Sequence, residues 1–146
     1  MSEDKKYKKF EALNVSSKYA ICGLPIRVDT YKTCSFGCKY CFSNCRKVME
    51  FEKELAVANL KSVERRLKRI ITDKNIKNGD FLDMLIAQDY TWHMGGMSDP
   101  FQPVEEKLQI TKGLLEITNK YGIHILSSTK SDTVYDCNIR PDLHTF

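Results

Sequence analysis

Four of the six cysteines in this 146-residue chain fall between Cys34 and Cys45, and this cluster constrains the fold more than any other feature. The first residues are polar and lysine-rich, without the apolar stretch of an export signal. Clustered cysteines in a reducing compartment more often bind metal or carry redox chemistry than form disulfides. Because thiolates are soft ligands that select iron–sulfur clusters, zinc or copper, the segment CSFGCKYC predicts a metal site.

The number of thiolate ligands decides what such a site does. In a cubane cluster, Cys34, Cys38 and Cys41 bind one iron each and leave one iron open to a chelating substrate, whereas four thiolates give an electron-transfer site. Gly37 allows the positive backbone angle that a loop needs to curl around a bulky cofactor.

Other uses of the cysteines stay open. A structural zinc site formed by Cys34, Cys38, Cys41 and Cys45 is the alternative, because zinc favours four tetrahedral ligands. We expect Cys45 to be a free thiol on the following helix, since as a fourth ligand it would saturate the cluster. Cys22 and Cys137 lack partner spacing and are predicted to be buried small residues.

Strand and helix patterns alternate along the chain. Residues 25–31, 91–95 and 123–127 read as strands, and the first alternates apolar and polar side chains. Apolar residues at helical spacing follow Leu60, Asp80 caps a short helix, and a further helix runs from Pro103 to Tyr121. The order predicts a parallel α/β sheet with about three strand–helix units in residues 24–146, an unpaired edge at its third strand, and a loosely ordered polar extension at residues 1–23.

Polar and glycine residues follow the second and third predicted strands. Ligands of parallel α/β sheets collect beyond the carboxyl ends of the strands, where this chain carries Gly95, Gly96, Ser98, Asp99, Ser128 and Lys130. Simpler interpretations remain for each kind of residue. The glycines can form a tight turn, Asp99 can cap a helix or turn, and Lys130 can be a solvated charge.

The cysteine segment resembles the C-x3-C-x-aromatic-C signature of radical S-adenosylmethionine enzymes, with Tyr40 as the aromatic residue. GGMSDPFQPVE and residues 127–131 resemble a narrower branch, the family of spore photoproduct lyase. The resemblance implies that Cys34, Cys38 and Cys41 hold a [4Fe-4S] cluster whose open iron chelates S-adenosylmethionine. It places Tyr40 beside the adenine and Gly95 and Gly96 near the amino group. It also implies cofactor contacts from Ser98, Asp99, Ser128 and Lys130.

The family chemistry is reductive cleavage of S-adenosylmethionine to a 5′-deoxyadenosyl radical, which abstracts hydrogen from a substrate that is unknown here. The chain departs from the commoner glycine-rich motif, which ends in an acidic residue where Met97 stands. The resemblance implies a one-electron donor such as a flavodoxin or ferredoxin. It covers roughly residues 24–132 and implies a partial (βα) parallel barrel, a truncated core that a second chain would complete.

Two other functions follow from the same residues. One is a non-catalytic iron–sulfur or zinc-binding fragment, and the other is a DNA-acting, lyase-like protein. The net charge of +4 permits nucleic acid as a partner but does not argue for it. No apolar run approaches the roughly 18 residues of a membrane span, so we expect a cytoplasmic protein without membrane contact.

Overall fold

The computed structural model describes residues 7–18, 20–41 and 55–132, together with the backbone of residues 144–145. The strands are β1 (Lys8–Phe10), β2 (Leu13–Val15), β3 (Ile26–Val28), β4 (Ala56–Ala58), β5 (Trp92–Met94), β6 (Ile125–Ser127) and β7 (His144–Thr145). The helices are α1 (Leu60–Leu67), which continues as a π-helix (Lys68–Thr72), α2 (Phe81–Ala87), α3 (Glu105–Leu108) and α4 (Ile110–Tyr121). The fold is therefore mixed α/β.

A five-stranded sheet with the order β2-β3-β5-β6-β7 carries the loops that bear the predicted site. β3, β5, β6 and β7 are parallel neighbours, and β2 lies antiparallel to β3. The three predicted strands are confirmed as β3, β5 and β6. The predicted unpaired edge at the third strand is wrong, because β7 pairs with β6. Two residues are too few for a period-two pattern to mark β7 in the sequence. Within the described residues the sheet does not close into a barrel.

Residues 8–15 belong to the folded body, in contrast to the loosely ordered extension expected for this region. β1 pairs in parallel with β4, and β2 pairs with β3. Ala12, between the first two strands, is fully buried and accepts a hydrogen bond from the Asp29 amide through its carbonyl oxygen (3.1 Å). The two lysines of β1 are exposed, so this strand reads as polar and its pattern does not announce a sheet.

β4 brings the chain back beside the end of β3 after the segment that contains Cys34, Cys38 and Cys41. The Lys32 amide donates to the Ala56 carbonyl oxygen (3.2 Å), and the Ala58 amide donates to the Thr30 carbonyl oxygen (2.9 Å). The chain therefore leaves the sheet after β3 and returns beside its point of departure. The cysteine loop begins at a fixed place at the end of β3.

The predicted helices are present, with one change. Asp80 accepts a hydrogen bond from the Asp83 amide (3.1 Å) and caps α2, as predicted, and Gly122 ends α4 with a φ of +68°. The predicted single helix from Pro103 to Tyr121 is wrong. Gln109 adopts a left-handed conformation with φ of +50°, and this angle separates α3 from α4.

The core lies on one face of the five-stranded sheet. Alternate strand residues are buried there, including Ile26, Val28, Trp92, Met94 and Ile125. Side chains from the helices cover them, α1 contacts α4, and α2 contacts β2 and β3. Among the helices of the described residues, none has both the length and the apolar character needed to cross a bilayer.

Basic residues of α1 and the π-helix are partly neutralised by acidic residues of α2 and its cap. Asp83 is fully buried and accepts a two-pronged interaction from Arg69 (2.6 and 2.9 Å) and one from Arg66 (2.9 Å). Arg66 also contacts Asp80 (2.5 Å). We call these four residues the arginine–aspartate network. It ties α1 and the π-helix to α2.

Candidate functional site

A cavity of about 370 Å³ lies where the loops after β3, β5 and β6 meet. All ten sequence-predicted site residues line it, and they come from three separate parts of the chain. They are Cys34, Cys38, Tyr40, Cys41, Gly95, Gly96, Ser98, Asp99, Ser128 and Lys130. Phe36, Met97 and Thr129 complete the lining. The parallel strands bring these residues together because their carboxyl ends lie at one edge of the sheet.

The cysteine loop forms one wall of this cavity. Cys34, Cys38 and Cys41 are partly exposed free thiols, and the Cys41 amide donates to the Cys38 carbonyl oxygen (3.1 Å) in a local turn. Gly37 has a φ of +59°, which confirms the predicted positive backbone angle. Within the described ranges, no three histidine, cysteine, aspartate or glutamate side chains converge closely enough to hold a single metal ion. A cubane places each thiolate on a different iron, so three soft donors around one cavity fit a cluster.

The remaining cysteines are distributed as follows. Cys22 is exposed, so the prediction that it is buried is wrong. Its segment, residues 20–23, is a surface turn that offers no core for a small apolar side chain. Cys45 and Cys137 lie outside the described residues, and the predictions for both stand as predictions.

Residues 98–105, which we call the bracing segment, hold the start of the cysteine loop. The Ser98 hydroxyl donates to the Tyr31 carbonyl oxygen (2.5 Å), and the Tyr31 hydroxyl donates to the Glu105 carboxylate. Burial and the Glu105 carboxylate raise the pKa of Tyr31, which keeps this phenol protonated as a donor. The chain is thus fixed at the residue from which the loop departs.

Glu105 also orients α4. Its carboxylate accepts hydrogen bonds from the amides of Thr111 (3.0 Å) and Lys112 (2.9 Å) at the start of α4. These amides have no partner inside the helix, and a carboxylate beside them is favoured by the helix dipole. One buried side chain therefore joins α4 to the cysteine loop through Tyr31.

Asp99 joins the loops after β5 and β6. Its Oδ1 accepts from the Phe101 amide (2.9 Å) and from the Thr129 hydroxyl (2.7 Å), and its Oδ2 accepts from the Lys130 amide (2.6 Å). Both carboxylate oxygens are therefore engaged by the protein. This geometry favours the turn-capping interpretation of Asp99. By joining the two loops, Asp99 shapes the wall of the cavity.

Gly95 and Gly96 differ in how strictly the structure requires glycine at each position. Gly95 has a φ of +92°, and a Cβ there would lie 2.2 Å from the Ser128 carbonyl oxygen. A Cβ on Gly96 would meet only ordinary contacts, 3.5 Å from the His93 ring and 3.6 Å from Arg27 Cδ. Gly95 is thus required by the fold, whereas the contacts at Gly96 leave space for a small side chain.

Tyr40 and Lys130 meet at the mouth of the cavity. Tyr40 is 74% exposed, and Lys130 Nζ lies 5.2 Å from the centre of its ring. Contact with Tyr40 raises the pKa of Lys130, and Cys38 and Asp99 act in the same direction. The His93 Nε2 lies 3.2 Å from the Ser128 hydroxyl. The mouth therefore presents a cation and an aromatic face side by side.

Sequence reasoning assigned no role to three buried residues of this site: Tyr31, Gln102 and Glu105. Gln102 and Glu105 belong to the string GGMSDPFQPVE, in which Gln102 lies between Phe101 and Pro103, and Glu105 follows Val104. That context is a signal for a buried polar side chain, because such a residue needs partners when it packs. Their partners at the start of the cysteine loop lie 67 to 74 residues away along the chain and cannot be read from the sequence.

No protein-family model, curated protein or solved structure matches this chain. The functional interpretation depends on the cavity and on the motifs that line it.

Proposed function

We propose that this chain is a radical S-adenosylmethionine protein in which Cys34, Cys38 and Cys41 hold a [4Fe-4S] cluster. One observation carries the proposal. Three cysteines and seven further predicted cofactor residues, drawn from three loops, line a single cavity at the carboxyl edge of a parallel sheet. Its volume of about 370 Å³ falls within the usual range of small-molecule sites.

The strand order supports a partial βα barrel as the architecture. β3, β5, β6 and β7 follow one another in the sheet in chain order and in parallel. Consecutive order is typical of barrel winding, whereas doubly wound sheets reverse their order at a switch point. We propose that these strands are the first part of a radical S-adenosylmethionine core, which further strands, from this or another chain, would complete.

The chain's own residues can bind and orient the cofactor. The Lys130 ammonium suits the carboxylate of the methionine moiety, the exposed Tyr40 ring suits the adenine, and Gly96 leaves room for backbone approach. When bound, the reduced cluster supplies the electron that cleaves S-adenosylmethionine to a radical for hydrogen abstraction. An external one-electron donor such as a flavodoxin or ferredoxin is part of this proposal, as is a cytoplasmic location.

Anaerobic reconstitution tests the proposal. The protein should bind iron and sulfide, and with dithionite it should form 5′-deoxyadenosine from S-adenosylmethionine. Cys34→Ala should reduce this product to the level of protein-free controls, because one iron loses its ligand. Cys22→Ala is the matched control, since Cys22 is exposed and outside the cavity, and it should match the parent protein.

Metal analysis separates the alternatives. One zinc per chain without iron would show the structural zinc site instead. Iron and sulfide bound without any 5′-deoxyadenosine would show a non-catalytic iron–sulfur protein. Either result contradicts catalysis by this chain.

A further inference from the structure

We propose that Gln102 is a positioning residue that sets the orientation of the Cys34 thiol. The inference deepens the proposed function, and only its cluster measurements rest on that function. Its first consequence concerns the metal-free protein.

The Gln102 side chain binds the peptide groups on both sides of Cys34. Its Oε1 accepts a hydrogen bond from the Ser35 amide (3.1 Å), and its Nε2 donates to the Thr33 carbonyl oxygen (2.8 Å). The residue is only 2% exposed, so water cannot readily substitute for either partner. An amide is the side chain suited to this place, because it offers a donor and an acceptor on one rigid group.

Gln102 itself is held firmly within the bracing segment. Its carbonyl oxygen accepts from the Glu105 amide (2.8 Å), and the preceding Phe101 is 1% exposed with its amide bound to Asp99. A side chain anchored in this way transmits the position of the bracing segment to the cysteine loop. The consequence is a fixed backbone at Cys34 before any metal arrives.

Cys38 and Cys41 are ordered differently. The hydrogen bond described between them is local, from the Cys41 amide to the Cys38 carbonyl oxygen (3.1 Å). The peptide groups that flank Cys34 are instead bonded to Gln102, 67 positions away from Ser35. Ligands held by a supporting shell bind metal better than ligands left to local chain conformation. We therefore expect Cys34 to be the pre-organised ligand of the three.

Two substitutions at Gln102 and one control test this role. Gln102→Met keeps an unbranched side chain but removes both hydrogen bonds. Gln102→Glu keeps an acceptor for the Ser35 amide but replaces the donor to Thr33 with a repelling oxygen. Gln88→Met is the control, because Gln88 is exposed at the end of α2.

The first measurement is iodoacetamide alkylation of the metal-free proteins, followed for each cysteine by peptide mass spectrometry. We expect the Cys34 rate to rise severalfold in Gln102→Met and less in Gln102→Glu, with the Cys38 and Cys41 rates unchanged in both. Gln88→Met should behave as the parent protein. If Gln102→Met does not fold, the Cys34 alkylation rate of Gln102→Glu decides the test. Equal Cys34 rates in the parent and the folded variants overturn the inference.

The second measurement uses the reconstituted proteins. Electron paramagnetic resonance of the reduced cluster and its midpoint potential should shift in Gln102→Glu and not in Gln88→Met, because a displaced thiolate changes one iron. An unchanged spectrum and potential count against the positioning role. If the parent protein binds no cluster while the Cys34 alkylation rate still rises, the proposed function fails and the positioning role stands.

Discussion

The bracing segment and the arginine–aspartate network join parts of the chain by different means. In the bracing segment, buried Ser98, Asp99, Gln102 and Glu105 bind backbone groups of neighbouring loops and helix. In the network, two partly exposed arginines bind one buried carboxylate and a capping aspartate. The backbone hydrogen bonds of the bracing segment fix where the cysteine loop runs. The ion pairs of the network hold two helices together, and Asp83 and Arg69 also bind backbone groups of the turn between those helices, at Lys77 and Asn75.

The difference indicates that the bracing segment positions the loops of the cavity, whereas the network contributes mainly to stability. A neutral side chain that bonds two peptide groups restricts position, and losing it leaves buried backbone groups unpaired. A buried carboxylate among arginines is held in its charged form. Removing one partner of such a pair lowers the free energy of unfolding strongly, because it leaves a buried charge unpaired. Three predictions probe this contrast, beginning with the largest effect.

Gly95→Ala should destabilise the protein by about 4 kcal/mol, combining the strain of a positive φ with steric overlap at the Ser128 carbonyl oxygen. The reason lies in the close approach of the loops after β5 and β6. Urea denaturation followed by circular dichroism measures the effect. A protein of parental stability would show that the two loops can separate freely.

Gly96→Ala is the matched control for that experiment. A Cβ at this position meets ordinary contacts at 3.5 Å and beyond, so the free energy of unfolding should change by no more than about 0.5 kcal/mol. Equal destabilisation by the two alanines would mean that the close approach at Gly95 is not the cause.

Local sequence patterns predicted the parts of this fold that are determined locally. Alternation marked β3, Asp80 marked the start of α2, and Gly37 marked a positive φ. The motifs also predicted ten of the residues that line the cavity, because each set lies in a loop that follows a strand.

Tertiary contacts determined the parts that the sequence could not reveal. The sequence did not predict β1, β2, β4 and β7. Two residues of β1 are exposed lysines, β4 is buried at all three positions and β7 has only two residues, and each of the four strands pairs with a neighbouring strand. The break at Gln109 has no proline or glycine to announce it. Gln102 and Glu105 support the cysteine loop through partners far away along the chain.

Asp83→Asn should lower the free energy of unfolding by about 3 kcal/mol, because it removes the buried charge that faces Arg66 and Arg69. Asp73→Asn, at an exposed aspartate near the same turn, should change it by less than about 0.5 kcal/mol. Neither substitution should change the proposed iron site, since the network does not line the cavity. Loss of iron binding in folded Asp83→Asn would contradict the separation between the two regions.

Lowering the pH should weaken the arginine–aspartate network, with a smaller change in the free energy of unfolding than the substitutions cause. Burial alone raises the pKa of Asp83, but hydrogen bonds from Arg69, from the Lys77 amide and from Arg66 outweigh it and lower the pKa to about 2. The ordinary value is 3.8, so the folded state binds the Asp83 proton more weakly than the unfolded state. The resulting stabilisation is fully present above about pH 4 and is lost as the pH falls towards 2. It amounts to about 1 to 2 kcal/mol, because the arginines are each about a quarter exposed and solvent screens them.

The measurement is urea denaturation of the parent protein and of Asp83→Asn between pH 5 and about pH 2. Other carboxylates titrate in this range in both proteins, so the informative quantity is the difference between their free energies of unfolding. Asparagine has no proton to gain, and the difference should narrow by about 1 to 2 kcal/mol as the pH falls. A constant difference would mean that Asp83 carries no charge-dependent stabilisation, and that the two helices are joined by packing and neutral hydrogen bonds.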